Sequence, residues 1–124
     1  MTVIAPRLMN ATVKRRADNL VATWTVTGDV PPSGGWQLST TLVGGPDGPT
    51  HQFRVDFNGD ELIATSIFDH EANQLFGLDA VPQRLGETWT VVFPIGDFPV
   101  ASAGAWTARL TIGSTFTKTI DGSI

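Results

Sequence analysis

Short stretches in which apolar and polar residues alternate recur along this chain, and they constrain its fold more than any other feature of the sequence. In residues 20–27 the even-numbered positions are Leu, Ala, Trp and Val, and the odd-numbered positions are mostly threonine. Successive side chains of a β-strand point to opposite faces, so this pattern predicts a strand with one buried face. The same reasoning predicts strands over residues 11–15, 36–43, 52–57, 61–68, 87–93, 105–112 and 116–120.

Turn residues separate these stretches at short intervals. Asn58-Gly59 is the strongest hairpin signal in the chain, because both residues tolerate a positive φ. One short helix is expected over residues 69–77, with Asp69 as its N-cap and Gly77 just past its end. Seven or eight strands without a long crossover helix predict an all-β fold, an antiparallel two-sheet sandwich.

Length and composition suit a single domain, since the chain has 124 residues of which 41% are hydrophobic. We expect residues 1–16 to form an extended basic N-terminal arm and the first strand, residues 17–124 to form the sandwich, and the periodic core to begin after Met9. The absence of cysteine excludes disulfides, a thiolate nucleophile and cysteine-ligated metal centres. No apolar stretch has the length of a membrane span, and residues 1–16 lack the apolar run of a signal peptide.

Positive charge is concentrated at the start of the chain. Residues 1–17 carry +4 and the remainder carries −8, within a net charge of −4. Complementary charge orients protein partners, so we expect this segment to contact an acidic partner or the acidic face of another copy. The side chains concerned are Arg7, Lys14, Arg15 and Arg16. The alternative is that they form only the solvated end of a strand. The negative net charge argues against nucleic acid as a partner.

The hairpin around Asn58-Gly59 is the best candidate for a metal site, although a weak one. Asp56, Asn58 and Asp60 place oxygen ligands around one turn, as a hard cation such as Ca²⁺ requires. The spacing does not match an EF-hand loop, because glycine is at the fourth position and Ile67 occupies the twelfth. A plain hairpin tip accounts for these residues, so we expect no metal and no cofactor.

The sequence contains no recognisable catalytic motif. His51 and His70 are far apart in the sequence, and we expect both to lie on the surface rather than to converge on a metal or an acid–base site. Ser66 lacks the Gly-x-Ser-x-Gly turn that presents a nucleophile. The chain is therefore expected not to be an enzyme.

The four tryptophans fall into two groups. Trp24, Trp89 and Trp106 alternate with aliphatic residues, which predicts that they belong to the core. Trp36 opens a strand directly after Gly34-Gly35, so its ring can either cap the end of the sandwich or contact a partner or a ligand. We expect the contact surface, and therefore a smaller loss of stability for Trp36→Ala than for Trp106→Ala.

Residues 104–113, with the sequence GAWTARLTIG, resemble the late strand of immunoglobulin-like domains. That strand has a glycine, an aromatic residue two positions later, alternating apolar residues and a turn into the last strand. Trp106 stands where those domains usually have tyrosine, and the inter-sheet cysteine pair is absent. The resemblance implies the sandwich fold and no particular activity.

Small sandwiches of this kind also resemble the decoration and accessory proteins of tailed-phage capsids and tails. The resemblance implies a structural subunit of a symmetric assembly, located in a virion or in the cytoplasm, with other protein subunits as partners. It further implies a homo-oligomer or a part of a larger assembly. From the negative net charge and the lack of a long apolar stretch, we expect neither nucleic acid nor a membrane as a partner. The alternative function is a carbohydrate- or small-ligand-binding module built around Trp36.

Overall fold

The computed structural model describes residues 5–31, 33–44, 49–96, 104–116 and 119–124, and these residues form strands and turns without a helix. The strands are β1 (Arg7–Arg16), β2 (Asn19–Thr27), β3 (Gly35–Val43), β4 (Thr50–Asn58), β5 (Glu61–Asp69), β6 (Gln74–Leu78), β7 (Gln83–Leu85), β8 (Thr88–Pro94), β9 (Ala105–Ile112), β10 (Thr115–Phe116) and β11 (Ile120–Ser123).

Two antiparallel sheets pack face to face, which confirms the predicted all-β sandwich. The smaller sheet has the order β1-β2-β8-β7, and the larger has the order β10-β9-β3-β4-β5-β6. The short strands β10 and β11 both pair with β9, on the side that β3 leaves open. This order is compatible with that of a variable-type immunoglobulin sandwich, in which the last strands extend the sheet that contains the third strand.

The core lies between the inward faces of the two sheets. Trp24 of β2 is fully buried, and its indole Nε1 donates a hydrogen bond to the Ser39 carbonyl of the opposite sheet at 3.1 Å. Phe53 and Phe93, one from each sheet, meet edge to face with their ring centroids 5.1 Å apart. Trp89 and Trp106 are also buried, so the prediction that these two and Trp24 belong to the core is confirmed.

The first strand is longer than the sequence suggested. It runs from Arg7 to Arg16 instead of residues 11–15, and Leu8 is buried, so the expectation that the core begins after Met9 is wrong. A bulge between Leu8 and Asn10 shifts the pairing by one residue. Even-numbered Leu8 and odd-numbered Ala11 can therefore both face inward, which hides the alternation from a reading of the sequence.

The predicted helix over residues 69–77 is wrong, because this segment is a β-hairpin. Strand β5 continues to Asp69, residues 70–73 form a turn, and β6 pairs back on β5. The Asp69 carboxylate accepts hydrogen bonds from the backbone N–H groups of Glu71 at 3.0 Å and Ala72 at 3.1 Å, as an N-cap would. Asn73 then adopts a φ of 51°, which turns the chain back along β5 instead of continuing a helix.

Candidate functional site

The basic residues lie on β1, a strand at the edge of the smaller sheet. We call this strand the basic edge. Arg7, Lys14 and Arg16 are exposed, and Arg15 is half-buried. Within the described ranges, no carboxylate forms an ion pair with Arg7, Lys14 or Arg16. Met9, which is 55% exposed, adds an apolar side chain to the same strand. Residues 7–16 thus form a paired strand of the sandwich, and residues 1–4 of the predicted arm lie outside the described residues.

Negative charge gathers on the opposite side of the molecule. Residues 55–83, which include the end of β4 and all of β5 and β6, contain six acidic residues and no lysine or arginine. Strand β6 lies at the edge of the larger sheet and carries Leu75, which is 55% exposed. It is flanked by Asp69, Glu71 and Asp79. We call β6 with these three carboxylates the acidic edge.

The basic and acidic edges are separated by the width of the sandwich. Strand β1 lies beside β11, at one margin of the larger sheet, and β6 forms the other margin. Five strand spacings of about 4.8 Å separate β11 from β6, a distance of about 24 Å. The basic residues of β1 and the three carboxylates around β6 therefore lie on opposite sides of the folded molecule.

Asp69 is the acidic-edge carboxylate with the most internal contacts. The N–H of Ala72 is the main reason that the pKa of Asp69 lies below its ordinary value of 3.8, and Glu71 N–H and His51 act in the same direction against the opposing effect of desolvation. The Asp69 Oδ2 atom lies 3.6 Å from Nε2 of His51. A carboxylate held in this way stays ionised in mildly acidic solution.

His51 is buried, with 1% of its surface exposed, so the expectation of two surface histidines is wrong for this residue. It shares the inward face of β4 with Phe53, Val55 and Phe57, and both of its ring nitrogens lack a hydrogen-bond partner among the described residues. The alternation of apolar and polar residues over 51–57 could have predicted this burial, because His51 occupies the same parity as the apolar residues. His70 is exposed as expected and contacts the Phe68 ring edge to face.

Trp36 does not present its ring to solvent, and the expectation of an aromatic contact surface there is wrong. The residue is 3% exposed and stacks on Phe57 with ring centroids 4.3 Å apart. Its ring meets that of Trp89 edge to face at 5.7 Å, and its Nε1 donates a hydrogen bond to the Gly59 carbonyl at 2.6 Å. Since β3 begins at Gly35, Trp36 takes the same inward orientation as Leu38.

The three metal candidates lie at the end of the β4–β5 hairpin. Asp56 and Asn58 both face outward from β4, and Asp60 is exposed at the hairpin tip. Gln37 on the neighbouring strand donates a hydrogen bond from Nε2 to Oδ1 of Asp56 at 2.7 Å. In the part of the chain that the structure describes, no three His, Cys, Asp or Glu side chains are arranged to hold a metal ion.

A pocket of about 460 Å³ opens at this end of the larger sheet. Its polar lining comes from three adjacent strands and consists of Gln37, Asp56, Asn58 and Thr111. Gly35 and Gly113 leave room at its margin, and Ile63 adds an apolar wall. Sequence reasoning missed this pocket, because it depends on how β9, β3 and β4 align and not on any local pattern.

Among the described residues, no helix is long and apolar enough to cross a membrane. No protein-family model matches the chain, and no curated protein or solved structure matches it either.

Proposed function

We propose that this protein is a non-enzymatic interaction subunit that assembles with copies of itself, the basic edge of one subunit contacting the acidic edge of the next. The observation that carries the proposal is the position of the two edges on opposite sides of one small sandwich. Complementary charge of this kind speeds association and sets the register of a contact.

A head-to-tail contact fits this charge distribution better than a two-fold contact. A two-fold contact places the same surface of both subunits together, so at either edge like charges would face each other. A head-to-tail contact pairs opposite charges, and it generates a ring when the rotation closes. The acidic edge also ends in a terminal strand, β6, whose outer backbone groups can pair with another strand.

Exposed apolar side chains support the same contact. Met9 on the basic edge and Leu75 on the acidic edge are each 55% exposed. Burial of such side chains adds a contribution that salt does not screen, whereas the charged contacts weaken as ionic strength rises. The assembly would therefore combine an apolar contact with electrostatic orientation.

The setting that we favour is a tailed-phage virion, in a capsid-decoration or tail-accessory position. Its support is the likeness of small cysteine-free sandwiches to such subunits, an argument from architecture. A non-enzymatic role is supported by the lining of the pocket, where Asp56 is the one titratable side chain in the described part of the chain. General acid–base and nucleophilic mechanisms require a second positioned group.

Charge reversal tests this proposal. The wild-type protein should assemble at low ionic strength, and the variant K14E/R16E should be monomeric in native mass spectrometry or in light scattering after gel filtration. The variant E71K/D79K should be monomeric for the same reason. An equimolar mixture of the two variants should assemble again, because each reversed edge then meets a complementary one.

The charge-conserving variant K14R/R16K is the matched control and should assemble like the wild type. The proposal is wrong if the wild-type protein is monomeric at low ionic strength and high concentration, or if K14E/R16E assembles as well as the wild type.

A further inference from the structure

The pocket at the end of the larger sheet is built from residues that neither edge uses. Thr111, Gln37 and Asp56 stand side by side on β9, β3 and β4, because the register pairs Gln37 with both of the others. Asn58 follows Asp56 on the same face of β4. Four side chains that can exchange hydrogen bonds with a ligand thus line one side of a single pocket.

Several contacts hold this pocket in place without a ligand. The 2.7 Å hydrogen bond between Gln37 and Asp56 fixes two of the polar side chains relative to each other. Beneath them, Trp36 is held by its stacking on Phe57 and its hydrogen bond to Gly59. The Gly113 N–H donates to the Gly35 carbonyl at 3.0 Å, which ties the two glycines at the margin together. A preformed site avoids much of the entropic cost of binding.

The lining determines the class of ligand. After the Gln37–Asp56 hydrogen bond is made, the second Asp56 oxygen and the Gln37 carbonyl oxygen remain as acceptors, while Asn58 and Thr111 can both donate and accept. Among the lining residues that the structure describes, Asp56 is charged and none is a lysine or arginine, so this lining disfavours phosphates and carboxylates. Ile63, which is 58% exposed, offers an apolar surface beside these groups.

A ligand that matches this lining is uncharged, carries closely spaced hydroxyl groups and has an apolar C–H face. We propose that the pocket binds a neutral saccharide unit, with Asp56, Gln37, Asn58 and Thr111 contacting its hydroxyl groups and Ile63 contacting its C–H face. The volume of about 460 Å³ lies within the range of small-molecule sites in proteins. This inference concerns a surface separate from the proposed subunit contact.

Gly35 provides a direct test, because it lies on the same outward face of β3 as Gln37 and lines the pocket. Of the residues placed in the structure, a Cβ built there meets the Phe57 carbonyl oxygen alone, at 3.9 Å, so a side chain would fill the pocket without displacing the core. The probes are glucose, galactose and N-acetylglucosamine, titrated to tens of millimolar concentration against labelled protein and followed by amide and indole chemical shifts in NMR spectra.

At least one of these sugars should bind with a dissociation constant in the millimolar range or below and should shift the Trp36 indole and Thr111 amide signals. Gly35→Val should abolish these shifts, whereas Thr41→Val, a matched outward-facing change farther along β3, should leave them intact. Asp56→Asn should weaken binding about tenfold, since a charged acceptor is replaced by a neutral one.

Three results would overturn the proposal. The first is that none of the sugars shifts a pocket signal, and the second is that the shifts persist in Gly35→Val. The third is that methylammonium or inorganic phosphate, titrated as competing probes, shifts the pocket signals more strongly than every sugar. The charge-reversal variants leave the pocket unchanged, so failure here is distinguishable from failure of the proposed assembly.

Discussion

Aromatic burial at Trp36 ties one end of the sandwich together. The ring contacts Phe57 within its own sheet and Trp89 in the opposite sheet, and its Nε1 hydrogen bond reaches the β4–β5 turn. We expect Trp36→Ala to lower the free energy of unfolding by about 3 to 5 kcal/mol, as for other large buried aromatic residues. The sequence had suggested a smaller loss than for Trp106→Ala.

From the structure we expect the opposite order, because the Trp106 indole nitrogen is buried without a hydrogen-bond partner among the described residues. Urea unfolding of both alanine variants measures the difference, with Trp36→Phe as a control that should lose less by keeping a ring on Phe57. A smaller loss for Trp36→Ala than for Trp106→Ala would contradict this expected order.

Close packing also makes Gly122 sensitive to a single methyl group. A Cβ at this position would overlap ring atoms of Trp106, whereas a Cβ at Gly77 meets nothing within 4 Å. We expect Gly122→Ala to destabilise the fold by about 1 to 3 kcal/mol, the usual range for overpacking. Gly77→Ala is the control and should change the melting temperature little. Equal melting temperatures for the two variants would show that Trp106 moves aside without cost.

At the scale of elements, the β5–β6 hairpin shows that N-cap hydrogen bonds can form where no helix follows. Asp69 makes the hydrogen bonds of an N-cap, but the inward and outward positions of β6 match those of β5 and the chain pairs back as a strand. The seven longer strands could be predicted from the alternation of apolar and polar residues. This hairpin and the bulge in β1 could not be predicted, because both depend on pairing with a neighbouring strand.

The same hairpin gives a pH dependence. The pKa of Asp69 is lower in the folded protein than its ordinary value of 3.8, so the unfolded chain binds the proton more tightly. The stabilisation is therefore complete above that value and is lost as the pH falls through the folded pKa. We expect the wild type to lose more stability than Asp69→Asn on acidification below about pH 4. Parallel acid-dependent losses in urea unfolding would show that Asp69 contributes nothing.

Strand β1 is the element whose role changed most between sequence and structure. Because Leu8 is buried, deletion of residues 1–9 removes part of a core strand, and the sandwich should lose stability rather than only its assembly. Leu8→Ala alone should cost about 2 to 5 kcal/mol. Deletion of residues 1–6 ends before β1 and should lower the unfolding midpoint less than deletion of residues 1–9. A stable protein after deletion to Met9 would mean that β1 pairs only loosely.

At the scale of the whole molecule, the basic half of the proposed subunit contact could be predicted from the sequence. The cluster of basic residues before Asp18 is visible in the sequence, and it indicated a polar molecule with two unlike sides. The position of β6 opposite β1 depends on the order of all strands in both sheets, so the acidic edge became definable only in the fold. The pocket depends on three aligned strands for the same reason.

Cysteine cross-linking tests the direction of the subunit contact, because the chain has no cysteine of its own. Asn10 on β1 and Gln74 on β6 are exposed and uncharged, so Asn10→Cys and Gln74→Cys leave the charges of both edges intact. A head-to-tail contact brings β1 of one subunit against β6 of the next. Under mild oxidation, a mixture of the two variants should therefore form a covalent heterodimer, while each variant alone forms little covalent dimer. The double variant should instead form ladders of higher covalent oligomers or closed covalent rings. Efficient cross-linking of Asn10→Cys to itself would indicate a two-fold contact at the basic edge and would contradict the head-to-tail arrangement.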